Sequence, residues 1–120
     1  MIGRVDRMGR ALVTIKLRPR EGERAIAIAA WVDTAFTGEL VLPSREIERL
    51  GLSQSSAIMA GLADGNEVIL EAFSCLIEWF DEELQIEVVE SNGALPLLGI
   101  GLLHGHRLEI DYHMRTLVIE

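Results

Sequence analysis

The chain has 120 residues, a length that suits one domain spanning 1–120, and 49% of them are apolar, enough to bury a core and too many for a disordered chain. Eleven Lys and Arg against 19 Asp and Glu give a net charge of −8. A surface of that sign repels phosphate backbones and anionic lipid, which counts against nucleic acid and membranes as partners. A single cysteine, Cys75, excludes an internal disulfide and a zinc site built from several thiolates, and in the apolar run AFSCLIEWF it reads as a buried structural thiol.

From the N-terminus, the charges of MIGRVDRMGR are not followed by the apolar stretch of a signal peptide. No later run approaches the roughly 20 apolar residues of a membrane span, so the expected location is cytoplasmic. Ala11 to Leu17 alternates apolar with Thr14 and Lys16, the period of a half-buried strand. Pro19 to Glu23 is a turn, and the apolar run up to Val32 is expected to return as a hairpin partner buried on both faces. After an interruption from Asp33 to Gly38, a short strand resumes at Glu39 and stops at Pro43. Ser44 is a candidate cap for a helix over Arg45 to Leu50, with Glu46 in its first turn and Gly51 as its terminator.

Ala57 to Leu62 is a weak strand leading to an Asp64-Gly65 turn, and Val68 to Phe80 is a long strand bent near Ser74. Asp81 to Glu83 is a charged turn, and Leu84 to Val88 alternates as a further strand. Ser91-Asn92-Gly93 is a loop, and Ile100 to His104 suits one or two helical turns. Two more strands, around Leu108 to Tyr112 and Leu117 to Ile119, close the chain. Many short strands with one or two short helices predict an all-β barrel or sandwich.

Two segments carry a resemblance. The first is Trp31-Val32-Asp33-Thr34-Ala35-Phe36-Thr37-Gly38-Glu39-Leu40-Val41-Leu42-Pro43, an apolar strand, an Asp-Thr triplet, a small loop and a strand ending in Leu-Pro. The second is Leu97-Leu98-Gly99, followed by Ile100-Gly101-Leu102-Leu103. In this order the two resemble the catalytic loop of the retropepsin-like clan AA aspartic proteases and the element that crosses behind it. The similarity is greatest to the small bacterial and archaeal single-domain members, and it extends from about Val13 to Glu120. It implies a retropepsin-like acid protease fold, Asp33 as the catalytic residue, and Thr34 and Ala35 as supports of the active-site loop. It also places Gly61, Leu62, Ala63, Asp64 and Gly65 where the family carries its substrate-covering flap. No cofactor is implied.

Peptide hydrolysis of this type uses two close carboxylates that share a proton, because like charges a few ångströms apart do not both ionise readily. The chain supplies one such Asp. A second copy of the chain is therefore the expected partner, with Asp33 of each subunit meeting on a two-fold axis and a peptide or protein as substrate. By the same resemblance, Thr34 hydrogen-bonds across that axis and the backbone N–H of residue 35 holds the carboxylate.

The sequence departs from the family at two places. Ala35 stands where Gly is usual, which adds a methyl beside the cleft and would be strained by a positive φ. Ile100 and Thr37 stand where viral members pair an Arg with an acid to stabilise the dimer, so another surface must hold the two copies together. Bland readings accompany each motif. Val32-Asp33-Thr34 also fits a strand end with a turn-forming Asp, Leu97-Leu98-Gly99 also fits core with a bend, and Ala63 to Asn66 is a turn on any reading. His104 and His106, two apart with no third ligand, read as surface residues rather than a metal site. Trp31, Trp79 and Phe80 read as core. Two functions follow: a homodimeric aspartic endopeptidase, or a retropepsin-fold module that binds peptides or builds an assembly without cleaving, for which Ala35 is the clue.

Overall fold

The computed structural model describes residues 1–61 and 64–120. Its strands are β1 (Ile2–Val5), β2 (Ala11–Arg18), β3 (Ile26–Val32), β4 (Leu40–Pro43), β5 (Ser53–Gly61), β6 (Glu67–Trp79), β7 (Glu82–Ser91), β8 (Leu97–Leu98), β9 (Leu108–Asp111) and β10 (Thr116–Ile119). Two short helices, α1 (Ser44–Leu50) and α2 (Ile100–Leu103), follow β4 and β8.

The alternation in β2 does what its period requires: Val13, Ile15 and Leu17 are buried while Thr14 and Lys16 face water. β2 and β3 form the expected hairpin, with Ile15 opposite Ile28. Beyond Ser74, where β6 parts from β5, β6 runs beside β2, with Leu17 opposite Ile77. That pairing closes a ring in the order β2, β3, β8, β4, β7, β6 and back to β2, a barrel whose interior holds Leu17, Leu40, Leu42, Ile77, Val88 and Leu98. Closure pairs β2 with β6 over residues 16–18 and 76–78, and the sheet still ends at β5 and β9. β5 extends the sheet outward from β6, and β1, β10 and β9 extend it from β2.

Several local readings are corrected. β3 is buried on one face only: Ala30 and Val32 are covered, but Trp31 is 40% exposed, because only the even-numbered positions there face the barrel interior. Ser44 is the first helical residue of α1 and does not cap it; Pro43 occupies the cap, and the Ser44 hydroxyl donates to the Ser91 carbonyl instead. Gly51 ends α1 as expected, at φ 68°, with its N–H on the Ile47 and Glu48 carbonyls. The turn between β6 and β7 is two residues, Phe80 and Asp81, both at positive φ, as the tight right-twisted hairpin requires. Phe80 is therefore outside the core. Its ring stacks on His106, with centroids 4.5 Å apart, and His106 accepts a hydrogen bond from buried Trp79 Nε1 at 3.3 Å. His106 is thus half-buried structure rather than free surface. No helix among the described residues is long and apolar enough to cross a membrane.

Candidate active site

The site grows from the short strand β8. Pro96, just before it, brings an extended chain between β3 and β4, where β8 pairs parallel with β3 (Trp31 opposite Leu97, Val32 opposite Leu98) and antiparallel with β4 (Leu40 opposite Leu98). Each loop is thereby tied to the other. The Trp31 N–H donates to the Pro96 carbonyl and the Asp33 N–H to the Leu98 carbonyl, both at 2.9 Å. In return Gly99 N–H donates to Glu39 O at 3.0 Å, Ile100 N–H to Phe36 O at 2.9 Å and Gly101 N–H to Gly38 O at 2.9 Å. Asp33 therefore leaves β3 at a point pinned by backbone bonds on both sides.

Gly99 and Gly101 make this crossing possible. A Cβ on Gly99 would run into the Gly38 and Phe36 carbonyl oxygens, and one on Gly101 would lie 2.9 Å from Gly38 C and O. Gly99 has φ −98° and ψ 177°, which any residue adopts, so the requirement there is space and not conformation. Glu39 adds a side-chain tie, its Oε1 accepting from Glu87 N–H on β7 at 2.9 Å.

Within the loop, the Ala35 N–H donates to Asp33 Oδ1 at 3.0 Å. One carboxylate oxygen is thus fixed by the backbone, and Asp33 remains half-buried at the mouth of a cleft of about 430 Å³ lined by Trp31, Val32, Asp33, Thr34, Ala35 and Leu97. Ala35 is not among the positive-φ residues, so the methyl that replaces a glycine there imposes no backbone strain. It projects at the exposed rim, as does Thr34.

The structure thus brings Asp33, Thr34, Ala35, Leu97, Leu98 and Gly99 into one unit, with Leu98 and Gly99 buried behind the loop. Of the expected flap, Leu62 and Ala63 lie outside the described residues. Gly61 closes the β5–β6 hairpin opposite Glu67, and Asp64 accepts from the Asn66 backbone and side-chain N–H groups at 2.9 Å beside Gly65 at φ 87°. Trp31 is the site residue that the sequence reading placed in the core. The signal for it was parity: in a strand, residues 31 and 33 share a face, so a Trp two before the aspartate belongs to the cleft.

A roomier groove, about 560 Å³, runs along Thr14, Lys16, Glu78 and the β6–β7 turn. Glu78 there is paired with Arg18 at 3.0 Å, and among the described residues no backbone N–H holds a carboxylate of the groove as one holds Asp33.

No family model and no curated protein matches the sequence. Solved structures do. A retropepsin-like aspartic protease from Rickettsia conorii superposes with TM-score 0.67 at 18% identity, over 99% of this chain and 88% of that one. The EIAV protease in complex with an inhibitor gives TM-score 0.55 at 16% identity, over 78% of this chain and 85% of that one. The retroviral protease-like domain of Ddi1 from Leishmania major gives 0.50 at 17% identity, over 91% and 88%. The closed ring of strands, with its two cross-tied loops around Asp33, is the retropepsin-like fold of the aspartic proteases.

Proposed function

We propose that the chain is a homodimeric aspartic endopeptidase in which the Asp33 side chains of two copies share a proton and activate a water for attack on a peptide carbonyl. The observation that carries this reading is the fixed carboxylate: Asp33 Oδ1 is held by the Ala35 N–H while the residue opens into a cleft walled by Trp31 and Leu97. Paired across a two-fold axis, one Asp33 carboxylate is the base that takes the water's proton. The other, protonated, donates to the carbonyl oxygen as charge develops on it. The pair titrates as a unit. In this reading Thr34, which lies at the exposed rim, hydrogen-bonds the partner's loop, and the β5–β6 hairpin covers an extended peptide through backbone bonds.

The test is cleavage of an unstructured protein at mildly acid pH, with and without a transition-state inhibitor of aspartic proteases. Inhibitable cleavage that Asp33→Asn abolishes supports the reading, and inhibitor-insensitive cleavage or none overturns it. The second reading, a module that binds peptides or assembles without hydrolysis, draws on the Ala35 methyl at the cleft rim. It is told apart by peptide affinity without turnover.

A further inference from the structure

Glu39 stands where the loop after Asp33 joins β4, and its backbone and side chain serve different partners. β4 runs parallel to β7, with Leu40 opposite Val88. One rung earlier, such a ladder sends the Glu87 N–H to the Gly38 carbonyl. That carbonyl is already taken, by the Gly101 N–H at 2.9 Å, and the Glu39 carbonyl takes the Gly99 N–H at 3.0 Å. The main chain has turned away from β7 toward the crossing, which leaves the Glu87 N–H without its backbone acceptor. Glu39 Oε1 accepts it instead, at 2.9 Å. Gly101 makes room for this reach, since a Cβ there would lie 2.9 Å from Glu39 Cγ. The cleft of about 360 Å³ around the carboxylate is lined by Glu39, Ser55, Ser74, Gln85, Ile86 and Glu87, with no Lys or Arg among the described residues. The carboxylate is therefore placed as an acceptor and not as half of an ion pair.

We infer that Glu39 is a positioning residue for Asp33: its carboxylate supplies the missing rung of the β4–β7 ladder and so anchors to the barrel the crossing from which Asp33 is held. The chain of contacts is short. The Glu87 N–H holds the Glu39 side chain, the Glu39 carbonyl holds Gly99, and the Leu98 carbonyl, next to Gly99, holds the Asp33 N–H at 2.9 Å. Glu87 is exposed, so water satisfies its N–H when the Glu39 carboxylate is removed, and global stability changes little. Water does not replace the covalent link between that acceptor and the carbonyl that holds Gly99. A displacement of about 1 Å at a reacting group costs up to about a hundredfold in rate. The requirement is an oxygen at this reach. Glutamine keeps that oxygen without the charge, and aspartate keeps the charge one methylene short.

This inference rests on the endopeptidase reading, and its test separates the two. Turnover per folded molecule is measured for wild type, Glu39→Ala, Glu39→Asp and Glu39→Gln well below their thermal midpoints, together with amide hydrogen exchange at Asp33, Gly99 and Glu87. E39A and E39D are expected to lower kcat about ten- to hundredfold with KM held. They should also speed exchange at the three amides while the urea midpoint stays close to wild type. E39Q should recover kcat to within about threefold, because a neutral acceptor makes a somewhat weaker bond. A lowered midpoint with kcat and Asp33 exchange unchanged, or E39Q as impaired as E39A, overturns the inference and leaves the endopeptidase reading standing. A wild type without inhibitable cleavage overturns that reading, and exchange at Asp33 then decides on Glu39 by itself. Faster exchange in E39A and E39D, restored in E39Q, upholds the positioning role, and unchanged exchange overturns it.

Discussion

Gly99→Ala isolates the crossing that holds the candidate site together. The substitution asks for no new backbone conformation, since φ −98° and ψ 177° suit alanine. It asks for room, and there is none: the added methyl meets the Gly38 and Phe36 carbonyl oxygens and the Phe36 ring. Those two carbonyls accept from Gly101 and Ile100, so relief of the clash stretches two backbone bonds of 2.9 Å. Overpacking a rigid site costs about 1–3 kcal/mol, and weakening two backbone bonds adds about 1–2 kcal/mol. The lower chain entropy of alanine in the unfolded state returns about 0.4–1 kcal/mol. The net expectation is a loss of about 1–5 kcal/mol, read at a slope of about 2 kcal/mol per M as a fall of about 0.5–2.5 M in the urea midpoint, the slope itself unchanged. Any peptidase activity should fall further than stability alone predicts, because the Leu98 carbonyl that anchors the Asp33 N–H moves with Gly99. Gly65→Ala is the control for φ without crowding, since a Cβ there meets nothing within 4 Å. A Gly99→Ala protein with wild-type midpoint would falsify the claim that close approach of the two loops builds this site.

Asp33→Asn keeps the shape and removes the ionisable proton, so activity should drop by orders of magnitude in a steady-state assay while the thermal midpoint holds or rises; wild-type rates in the variant remove Asp33 from catalysis. Ala35→Gly should keep the fold at a cost of about 0.5–1 kcal/mol in chain entropy and leave turnover equal or higher, since the N–H on Asp33 Oδ1 is retained; a large loss of turnover would show that the methyl serves the cleft. Removal of residues 63–66 should weaken binding of an extended peptide measured by calorimetry, and unchanged affinity means that the β5–β6 hairpin covers nothing. Burial raises the Cys75 thiol from 9.0 to about 11. The folded state then holds its proton more tightly than the unfolded one between those values, so stability falls as pH rises from about 9 toward 11. Cys75→Ser should flatten that part of the denaturation-against-pH curve, and an unchanged curve assigns the loss to other groups.

The sequence determined what its local physics could carry. Period-two burial in β2 needs only its own residues, and so does the stop of α1 at Gly51, where αL backbone favours glycine. The aspartate loop and the Leu-Leu-Gly element were legible as motifs because close backbone crossings restrict the allowed residue types sharply. What only the tertiary structure decided is everything set by distant pairing. β1 has two apolar residues in a charged stretch and becomes a strand because β10, more than a hundred residues later, supplies its partner. Ring closure depends on β6 leaving β5 at Ser74 to join β2. Trp31 lies in the cleft and not the core, and Phe80 on a positive-φ turn, because the side of a strand that becomes interior is settled by which elements pack against it. An apolar residue records that it prefers burial; the face on which the barrel closes decides whether it is buried.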